Sequence, residues 1–264
     1  MFLIATLLGI VEGLTEFVPV SSTGHLILAG HLLGFTGARA DAFEIFIQLG
    51  AILAVIGLFP ARFRGMVSKG GTGFTGMRAI GLLLLTSIPG LLLGKLAHHA
   101  IKEHLFNPLM VAMGLFVGAC LMITVEFLQS RNKREPLATV DGLTWKQALG
   151  IGFFQCLALW PGMSRSSSTM VGGMLLGLNR ATAAEYSFLA AVPIITAATL
   201  YDLYKSWNLL AVKDYGYFAW GFAVSFIFAW ISMRFLLRYL TSHSLNSFAV
   251  YRIGVAVAIF LLWK

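Results

Sequence analysis

The sequence predicts an all-α integral membrane protein with six transmembrane helices and two re-entrant helix–turn–helix hairpins, arranged as an inverted-topology repeat. Three observations support this fold. The 264-residue chain is 58% hydrophobic and only 11% charged, whereas an average soluble domain carries about 25% charged residues. Most apolar runs are long enough to span a bilayer. Two further apolar regions are interrupted by polar residues, and their sequences resemble each other.

Six apolar segments reach the roughly 20 residues that a helix needs to cross the hydrocarbon core. They cover residues 43–60, 77–97, 107–128, 182–203, 216–238 and 246–263. Residues 1–36 and 146–180 differ, because each consists of two shorter apolar pieces separated by a proline and a polar run. Such short pieces indicate re-entrant or interfacial helices. Their broken backbone must be satisfied by protein or by a water-filled cavity.

The chain is interpreted as a single membrane domain, residues 1–264, with one repeat at about 1–128 and a second at about 146–264. Aligning the prolines of the two polar runs pairs Ser22 with Ser164. Each repeat would contain one hairpin and three full spans. Because three is odd, the second repeat would run with opposite orientation. The hairpins would then enter from opposite faces and meet near the midplane, where inverted-repeat membrane proteins place their sites.

Basic residues concentrate in loops 61–78, 129–146 and 234–245, and the formal net charge is +8. In a soluble protein this charge would suggest nucleic-acid binding. In a membrane protein the positive-inside rule explains it and makes these loops cytoplasmic, which places both termini outside. Anionic lipid head groups are a further attraction for the basic loops. Arg252, in the last span, is interpreted as a snorkelling or paired side chain.

The first polar island is EGLTEFVPVSSTGH, residues 12–25. Glu12 and Glu16 are four residues apart and would share one helix face. Two carboxylates this close inside a bilayer repel each other, unless a cation lies between them or one of them binds a proton. Mg²⁺ or Ca²⁺ prefers oxygen ligands and would bridge the pair to a phosphate. The alternative is a pair of carboxylates at a wetted helix end.

Three hydroxyls, of Ser21, Ser22 and Thr23, follow in the same island. Any of them could cap the helix that is expected to start near Gly24. Ser22 and His25 are three residues apart, and a hydroxyl beside a base is the arrangement of an activated nucleophile. Attack on phosphorus by His25 itself is the alternative, and the sequence does not separate the two.

The second island is PGMSRSSST, residues 161–169, and Arg165 is its single basic residue. A guanidinium group matches the geometry of phosphate oxygens and stabilises charge that develops during phosphoryl transfer. Ser164, Ser166 and Thr169 supply hydroxyls, and a helix that starts near Ser166 would add backbone N–H groups. The alternative is a structural ion pair between Arg165 and one of the two glutamates.

These two islands, together with GHLLGF, FEIFIQLGAILAV and FQCLALWPG, resemble the undecaprenyl pyrophosphate phosphatase family, also called the bacitracin-resistance protein family, over essentially the whole chain. The resemblance implies hydrolysis of undecaprenyl pyrophosphate to undecaprenyl phosphate and inorganic phosphate, which recycles the lipid carrier of cell-wall synthesis. It also implies a multi-pass protein of the bacterial inner membrane, with periplasmic termini, a site that opens to the periplasm and a divalent cation, Mg²⁺ or Ca²⁺.

The resemblance and the residues together define an expected site. Catalysis is assigned to Glu16, Ser22, His25 and Arg165, substrate binding to Ser21, Thr23, Ser164, Ser166 and Thr169, and metal binding to Glu12 and Glu16. The expected partners are undecaprenyl pyrophosphate and membrane lipid, without nucleic acid, and a homodimer is left open.

Two other functions are considered. A polyprenyl-phosphate transporter or flippase is the main alternative, because inverted repeats, broken hairpins and midplane charges are typical of transporters. The type-2 phosphatidic acid phosphatase family is less compatible, since no histidine follows Arg165 before His243.

Overall fold

The computed structural model describes residues 1–68, 72–97, 107–132, 135–206 and 214–262, together with residues 101, 103 and 105. Within these residues the chain forms eleven α-helices, and its only β-type pairing is one isolated bridge between Leu137 and Leu178. The helices are α1 (Phe2–Thr15), α2 (Ser22–Leu32), α3 (Ala38–Leu58), α4 (Pro60–Val67), α5 (Gly76–Leu96), α6 (Pro108–Arg131), α7 (Trp145–Gln155), α8 (Arg165–Leu175), α9 (Arg180–Ser206), α10 (Tyr215–Leu240) and α11 (Asn246–Leu262).

Five helices of the described part, α3, α5, α6, α9 and α10, are long and apolar enough to cross a membrane. They match five of the six predicted spans, so the protein is an α-helical, multi-pass membrane protein. The sixth predicted span corresponds to α11, which has 17 residues, and the final predicted residue, 263, lies outside the described residues. Large apolar side chains such as Leu92, Phe116 and Phe235 are more than half exposed on these helices, where lipid would cover them.

The two interrupted regions each form two short helices, as the sequence predicts. In the first, α1 and α2 flank residues 16–21; in the second, α7 and α8 flank residues 156–164. A capping box at Thr144, with reciprocal bonds to Gln147, starts α7. The helix α4 was not predicted; it begins directly at Pro60, whose fixed φ and missing N–H suit the first position of a helix.

Each hairpin packs against a long helix from the other half of the chain. In α1, a Cβ atom at Gly13 would lie 2.6 Å from the carbonyl oxygen of Ser225 in α10, and the Ser232 hydroxyl donates to the Gly13 carbonyl at 2.9 Å. In α7, a Cβ atom at Gly152 would lie 2.7 Å from the carbonyl oxygen of Thr86 in α5. These backbone contacts fix the hairpins relative to the membrane-spanning helices.

An ion pair and a backbone hydrogen bond connect the three basic loops at one end of the helices. Arg62 donates to Asp141 at 2.9 Å and to Glu185 at 3.0 Å. Glu126 accepts from Arg180 at 2.6 Å and from the backbone N–H that precedes α11 at 2.8 Å. The loops after α3, α6 and α10 therefore lie on one face, as the charge pattern predicts. Three basic residues of these loops lie outside the described residues: Lys69, Lys133 and Arg134.

Candidate active site

The tips of the two hairpins meet at a cavity of about 160 Å³. Two hydrogen bonds join the tips directly: the Ser166 hydroxyl donates to the Val18 carbonyl at 3.1 Å, and Arg165 Nη2 donates to Glu16 Oε1 at 3.4 Å. The two polar islands, about 150 residues apart in sequence, thus form one site. The cavity is lined by Glu16, Ser21, Ser22, Thr23, Gln48, Ala158, Trp160, Pro161, Gly162, Ser164, Arg165 and Ile195.

Ser21 and Ser164 hold the same unusual backbone conformation. Their φ angles are 74° and 67°, and they are the only non-glycine residues with positive φ in the described part of the chain. Each caps a helix: the Ser21 hydroxyl accepts from the Gly24 N–H at 3.4 Å, and the Ser164 hydroxyl accepts from the Ser167 N–H at 3.3 Å. A conformation of this kind costs on the order of 1–3 kcal/mol and occurs mainly at functional sites.

These caps correct the sequence alignment of the two hairpins. The prediction that Ser22 corresponds to Ser164 is wrong by one residue, because one residue separates Pro19 from its capping serine and two residues separate Pro161 from its own. The structural partner of Ser164 is Ser21. Ser22 and Arg165 therefore hold equivalent positions, each at the first residue of a helix whose N-terminus faces the cavity.

The hydroxyl of Ser22 is bound to a carboxylate rather than to the imidazole. Ser22 Oγ donates to Glu16 Oε2 at 2.6 Å, and both side chains are only 7% exposed. A short bond to an ionised acceptor is stronger than a neutral hydrogen bond. It also places a proton acceptor within reach of the hydroxyl, which is the geometric requirement for a general base.

Arg165 is held in place from the side away from the cavity. Its Nη1 donates to the Ser187 carbonyl at 3.0 Å, and its guanidinium lies over the Phe17 ring, 5.6 Å from the centroid. Thr169 donates to the Ser187 hydroxyl at 2.7 Å and does not line the cavity. Thr169 therefore supports Arg165 through Ser187, and Ser166 joins the two tips; neither residue lines the cavity.

His25 lies behind the first tip. Its Nδ1 is 2.8 Å from the Ser21 carbonyl oxygen, and its Nε2 is 2.7 Å from the Tyr251 hydroxyl. Both ring nitrogens are thus used, neither of them bonds to Ser22, and the ring is absent from the cavity wall. The hydrogen bond to the Ser21 carbonyl therefore links His25 to the residue whose left-handed backbone determines the orientation of Ser22.

Glu12 is completely buried one helical turn before Glu16. Neither of its carboxylate oxygens has a hydrogen-bond partner among the described residues, and Glu12 does not line the cavity. The described residues contain no group of three or more side chains suited to a metal ion. The two glutamates alone would leave most positions of a cation for water or phosphate oxygens, which is how Mg²⁺ is commonly bound.

A second cavity, of about 320 Å³, lies where α3, α4 and the start of α5 meet. Among the described residues, Arg62 is the one charged residue in its wall, and Asp141 and Glu185 already neutralise that charge. The described part of this cavity wall therefore offers no unpaired charged group for a ligand.

The site can be compared with known proteins on this basis. The sequence profile of the family described as "Bacitracin resistance protein BacA" matches residues 5–258. The chain belongs to this family. The family resemblance predicted from the two polar islands is therefore confirmed, and the matched segment includes every residue of the cavity wall.

Close relatives of this BacA-family protein carry one name, "Undecaprenyl-diphosphatase". The relative from Maridesulfovibrio salexigens is 54% identical over 261 residues, which cover 98% of each chain. The relative from Solidesulfovibrio magneticus is 52% identical over 262 residues, covering 99% of this chain and 98% of the relative. A relative from Nitratidesulfovibrio vulgaris is 53% identical over 257 residues, covering 97% and 96%.

Sequence reasoning missed two polar residues at the BacA-family site. Gln48 of α3 lines the cavity, and Ser187 of α9 holds Arg165. Gln48 lies four residues after Glu44 in a predominantly apolar span, a signal that could have indicated Gln48 but gave no direction for its side chain. Ser187 was not recognisable, because its contact to Arg165 runs partly through the backbone carbonyl.

Proposed function

We propose that this protein is an undecaprenyl-diphosphatase, which hydrolyses undecaprenyl pyrophosphate to undecaprenyl phosphate and inorganic phosphate. The names of the relatives supply the substrate. The observation that carries the proposal is the triad of Ser22, Glu16 and Arg165. A hydroxyl that donates to a carboxylate at 2.6 Å, beside a partly buried guanidinium that bonds the same carboxylate, is suited to phosphoryl transfer.

The geometry favours Ser22 over His25 as the nucleophile. Ser22 Oγ attacks the terminal phosphorus and passes its proton to Glu16. The bond between that phosphorus and the bridging oxygen breaks, and undecaprenyl phosphate leaves. Water then adds to the phosphorus of the phosphoserine, and the bond from that phosphorus to the serine oxygen breaks. The serine oxygen takes its proton back from Glu16, and the oxygen and hydrogens of the water leave in inorganic phosphate. Because Glu16 becomes neutral in the first step, its ion pair with Arg165 is lost. The positive charge of Arg165 can then stabilise the negative charge on the phosphate oxygens during the transfer.

Most of the catalytic effect in phosphoryl transfer comes from positioning and charge stabilisation. The N-termini of α2 and α8 both face the cavity, so their backbone N–H groups favour an anion. Thr23 and Gln48 line the same cavity, and the described residues provide no hydrogen-bond partner for either side chain. We assign them to the pyrophosphate oxygens.

A divalent cation fits this site as a partner of the substrate. Glu12 presents a buried carboxylate without partners, and such a group inside a membrane is costly unless a cation or proton compensates it. Glu12 and Glu16 would hold the cation, which would neutralise charge on the pyrophosphate. The small number of protein ligands favours Mg²⁺ over Ca²⁺, because Ca²⁺ usually takes 6–8 oxygen ligands.

The size of the cavity suits a head group and not a whole lipid. Its volume of about 160 Å³ is below the roughly 300–1,000 Å³ of ligand pockets for drug-sized molecules. The polyprenyl chain must therefore lie outside, among the lipid-facing helices. Ala158, Trp160 and Ile195 form the apolar part of the wall, and we propose that the chain leaves the cavity past them.

Phosphate release from purified protein tests the proposed activity. The wild type should release phosphate from undecaprenyl pyrophosphate, and a chelator should reduce the rate. Ser22→Ala should abolish release, whereas Ser130→Ala, at the exposed end of α6, should not change it. Equal release by wild type and Ser22→Ala would reject the mechanism. Substrate binding without any turnover by the wild type would favour the transporter.

The membrane arrangement forms a second part of the proposal. We propose six spans and two re-entrant hairpins in inverted repeats, in the bacterial inner membrane, with the termini and the cavity opening in the periplasm. The shared face of the three basic loops supports this orientation. The ion pair between Arg39 and Asp214, at 3.7 Å, joins the start of α3 to the residue that precedes α10, at the opposite ends of these helices from the basic loops.

Cysteine labelling tests the orientation. In a background without Cys120 and Cys156, a membrane-impermeant reagent on intact spheroplasts should label a cysteine placed at residue 38 and not one at residue 132. The opposite pattern would invert the topology. The mass of the protein in detergent micelles would decide whether it is a homodimer.

A further inference from the structure

Arg252 of α11 is a fully buried arginine with an unusual set of partners. It is 0% exposed, so of the two predicted alternatives, a snorkelling or a paired side chain, the first is wrong. None of the ion pairs among the described residues includes it. Its guanidinium instead donates to five backbone carbonyls, at distances of 2.9–3.2 Å: those of Pro19, Gly114, Leu115, Gly162 and Met163.

Three of these carbonyls belong to the hairpin tips. Gly162 and Met163 immediately precede the left-handed cap Ser164, and Pro19 lies two residues before the left-handed cap Ser21. A single side chain therefore holds both strained turns, one on each side of the cavity. The other two carbonyls anchor the same guanidinium to α6.

A carbonyl cage of this kind requires arginine. The guanidinium has five N–H donors in a rigid fork, whereas the ammonium of lysine has three donors on a flexible stem. Burial of a charge without a carboxylate is costly unless its donors are satisfied. Here the five carbonyls and the Met122 sulfur, 3.9 Å from Nη1, accept from all three guanidinium nitrogens. The free energy that burial costs is offset only while both tips stay in place.

The chain also leaves space for this side chain at one position of α6. A Cβ atom at Gly118 would collide with the guanidinium of Arg252. Gly254, in the same helix as Arg252, has no atom within 4 Å of the position where a Cβ would be placed. Alanine at these two glycines therefore provides a matched pair of substitutions, one that displaces the guanidinium and one that does not.

We infer that Arg252 is a positioning residue for the hydrolysis, which fixes the two hairpin tips relative to each other and thereby sets the distance from Ser22 to Arg165. Arg252 does not line the cavity, so it acts through the tips rather than on the substrate. This inference rests on the proposed function. It predicts a loss of turnover in protein that remains folded and that still binds substrate.

The test compares Arg252→Met, Arg252→Lys, Gly118→Ala and the control Gly254→Ala. For each, kcat and KM for phosphate release are measured on the monodisperse fraction, with the melting temperature recorded separately. Because a misplacement of about 1 Å can cost about 10²-fold in rate, Arg252→Met and Gly118→Ala should lower kcat about 100-fold, with KM changed by less than about fivefold. The kcat of Arg252→Lys should lie between that of Arg252→Met and that of the wild type. The kcat of Gly254→Ala should equal that of the wild type.

A double variant separates positioning from general stability. In the Arg252→Met background the methyl group added by Gly118→Ala has no guanidinium to displace, so this second substitution should cause no further loss of kcat. Folded Arg252→Met and Gly118→Ala proteins with kcat within about twofold of the wild type would overturn the inference. Loss of folded protein in both milder variants, Gly118→Ala and Arg252→Lys, would also overturn it, because Arg252 would then support the fold as a whole. Absence of turnover in the wild type would instead reject the proposed function.

Discussion

Replacement of Glu16 by glutamine is the most direct test of the site. The two oxygens of Glu16 have different partners, with Ser22 on Oε2 at 2.6 Å and Arg165 on Oε1 at 3.4 Å. Glutamine keeps the shape but offers one acceptor and one donor. Whichever way the amide is turned, one of the two partners meets an N–H group, and no carboxylate remains to accept the proton of Ser22.

The expected size of the effect follows from these two contacts. Loss of a general base costs about 10²–10⁴-fold in rate, which corresponds to about 3–5 kcal/mol in the activation free energy. Removal of one partner from a buried ion pair costs about 3–5 kcal/mol of stability. We expect the lower end of that range, because Arg165 keeps its bond to the Ser187 carbonyl.

The assay is phosphate release under single-turnover conditions, together with thermal unfolding in detergent. Glu126→Gln is the matched control, since Glu126 is also buried and paired with an arginine, at 2.6 Å, but lies away from the cavity. It should lower the melting temperature and leave the rate of the folded protein unchanged. A Glu16→Gln protein with a rate within about tenfold of the wild type would refute the role of Glu16 as the base.

Three further predictions concern other parts of the protein. Gln48→Leu should raise KM about tenfold or more, as expected for the loss of a hydrogen bond to a charged group, without lowering the melting temperature; an unchanged KM would remove Gln48 from the binding site. Gly13→Ala should destabilise the protein by about 1–3 kcal/mol through overpacking against α10, whereas Gly81→Ala, where nothing lies within 4 Å, should not, and equal melting temperatures would contradict the packing. The Phe74 N–H, the Thr139 hydroxyl and Arg62 lower the pKa of Asp141 below its ordinary 3.8. The ionised carboxylate therefore stabilises the fold above that pKa, and this stability is lost as the pH falls through the lowered value. Thermal unfolding as a function of pH should show a smaller acid-induced decline for Asp141→Asn than for the wild type, and identical profiles would exclude this contribution.

The sequence predicted the features that depend on local composition. Apolar length identified five spans, and the cost of ionisable groups in lipid singled out Glu12, Glu16 and Arg165. The expectation that two halves with three spans each run in opposite orientations also indicated that their hairpins would meet. These inferences need no knowledge of side-chain direction, and that is why they could be made from the chain alone.

Side-chain direction was the part that could not be predicted. The spacing of Ser22 and His25 suggested a pair, but the left-handed backbone of Ser21 determines how α2 leaves the tip, so Ser22 bonds to Glu16 and His25 to Tyr251. Arg252 was misread for a related reason. Its partners are backbone carbonyls, and a carbonyl group is present at every residue, so the sequence carries no mark of which ones are used.

The packing of each hairpin against the opposite half also has a consequence for biosynthesis. The helix α1 packs against α10, and Arg252 of α11 donates to the Pro19 carbonyl. The first hairpin therefore cannot complete its packing until these C-terminal helices have been synthesised. Before that, the carboxylates of Glu12 and Glu16 are costly to insert into the bilayer, because the protein that surrounds them is incomplete. A nascent chain halted before α10 should therefore expose the first hairpin to protease, and translation past α11 should make it resistant.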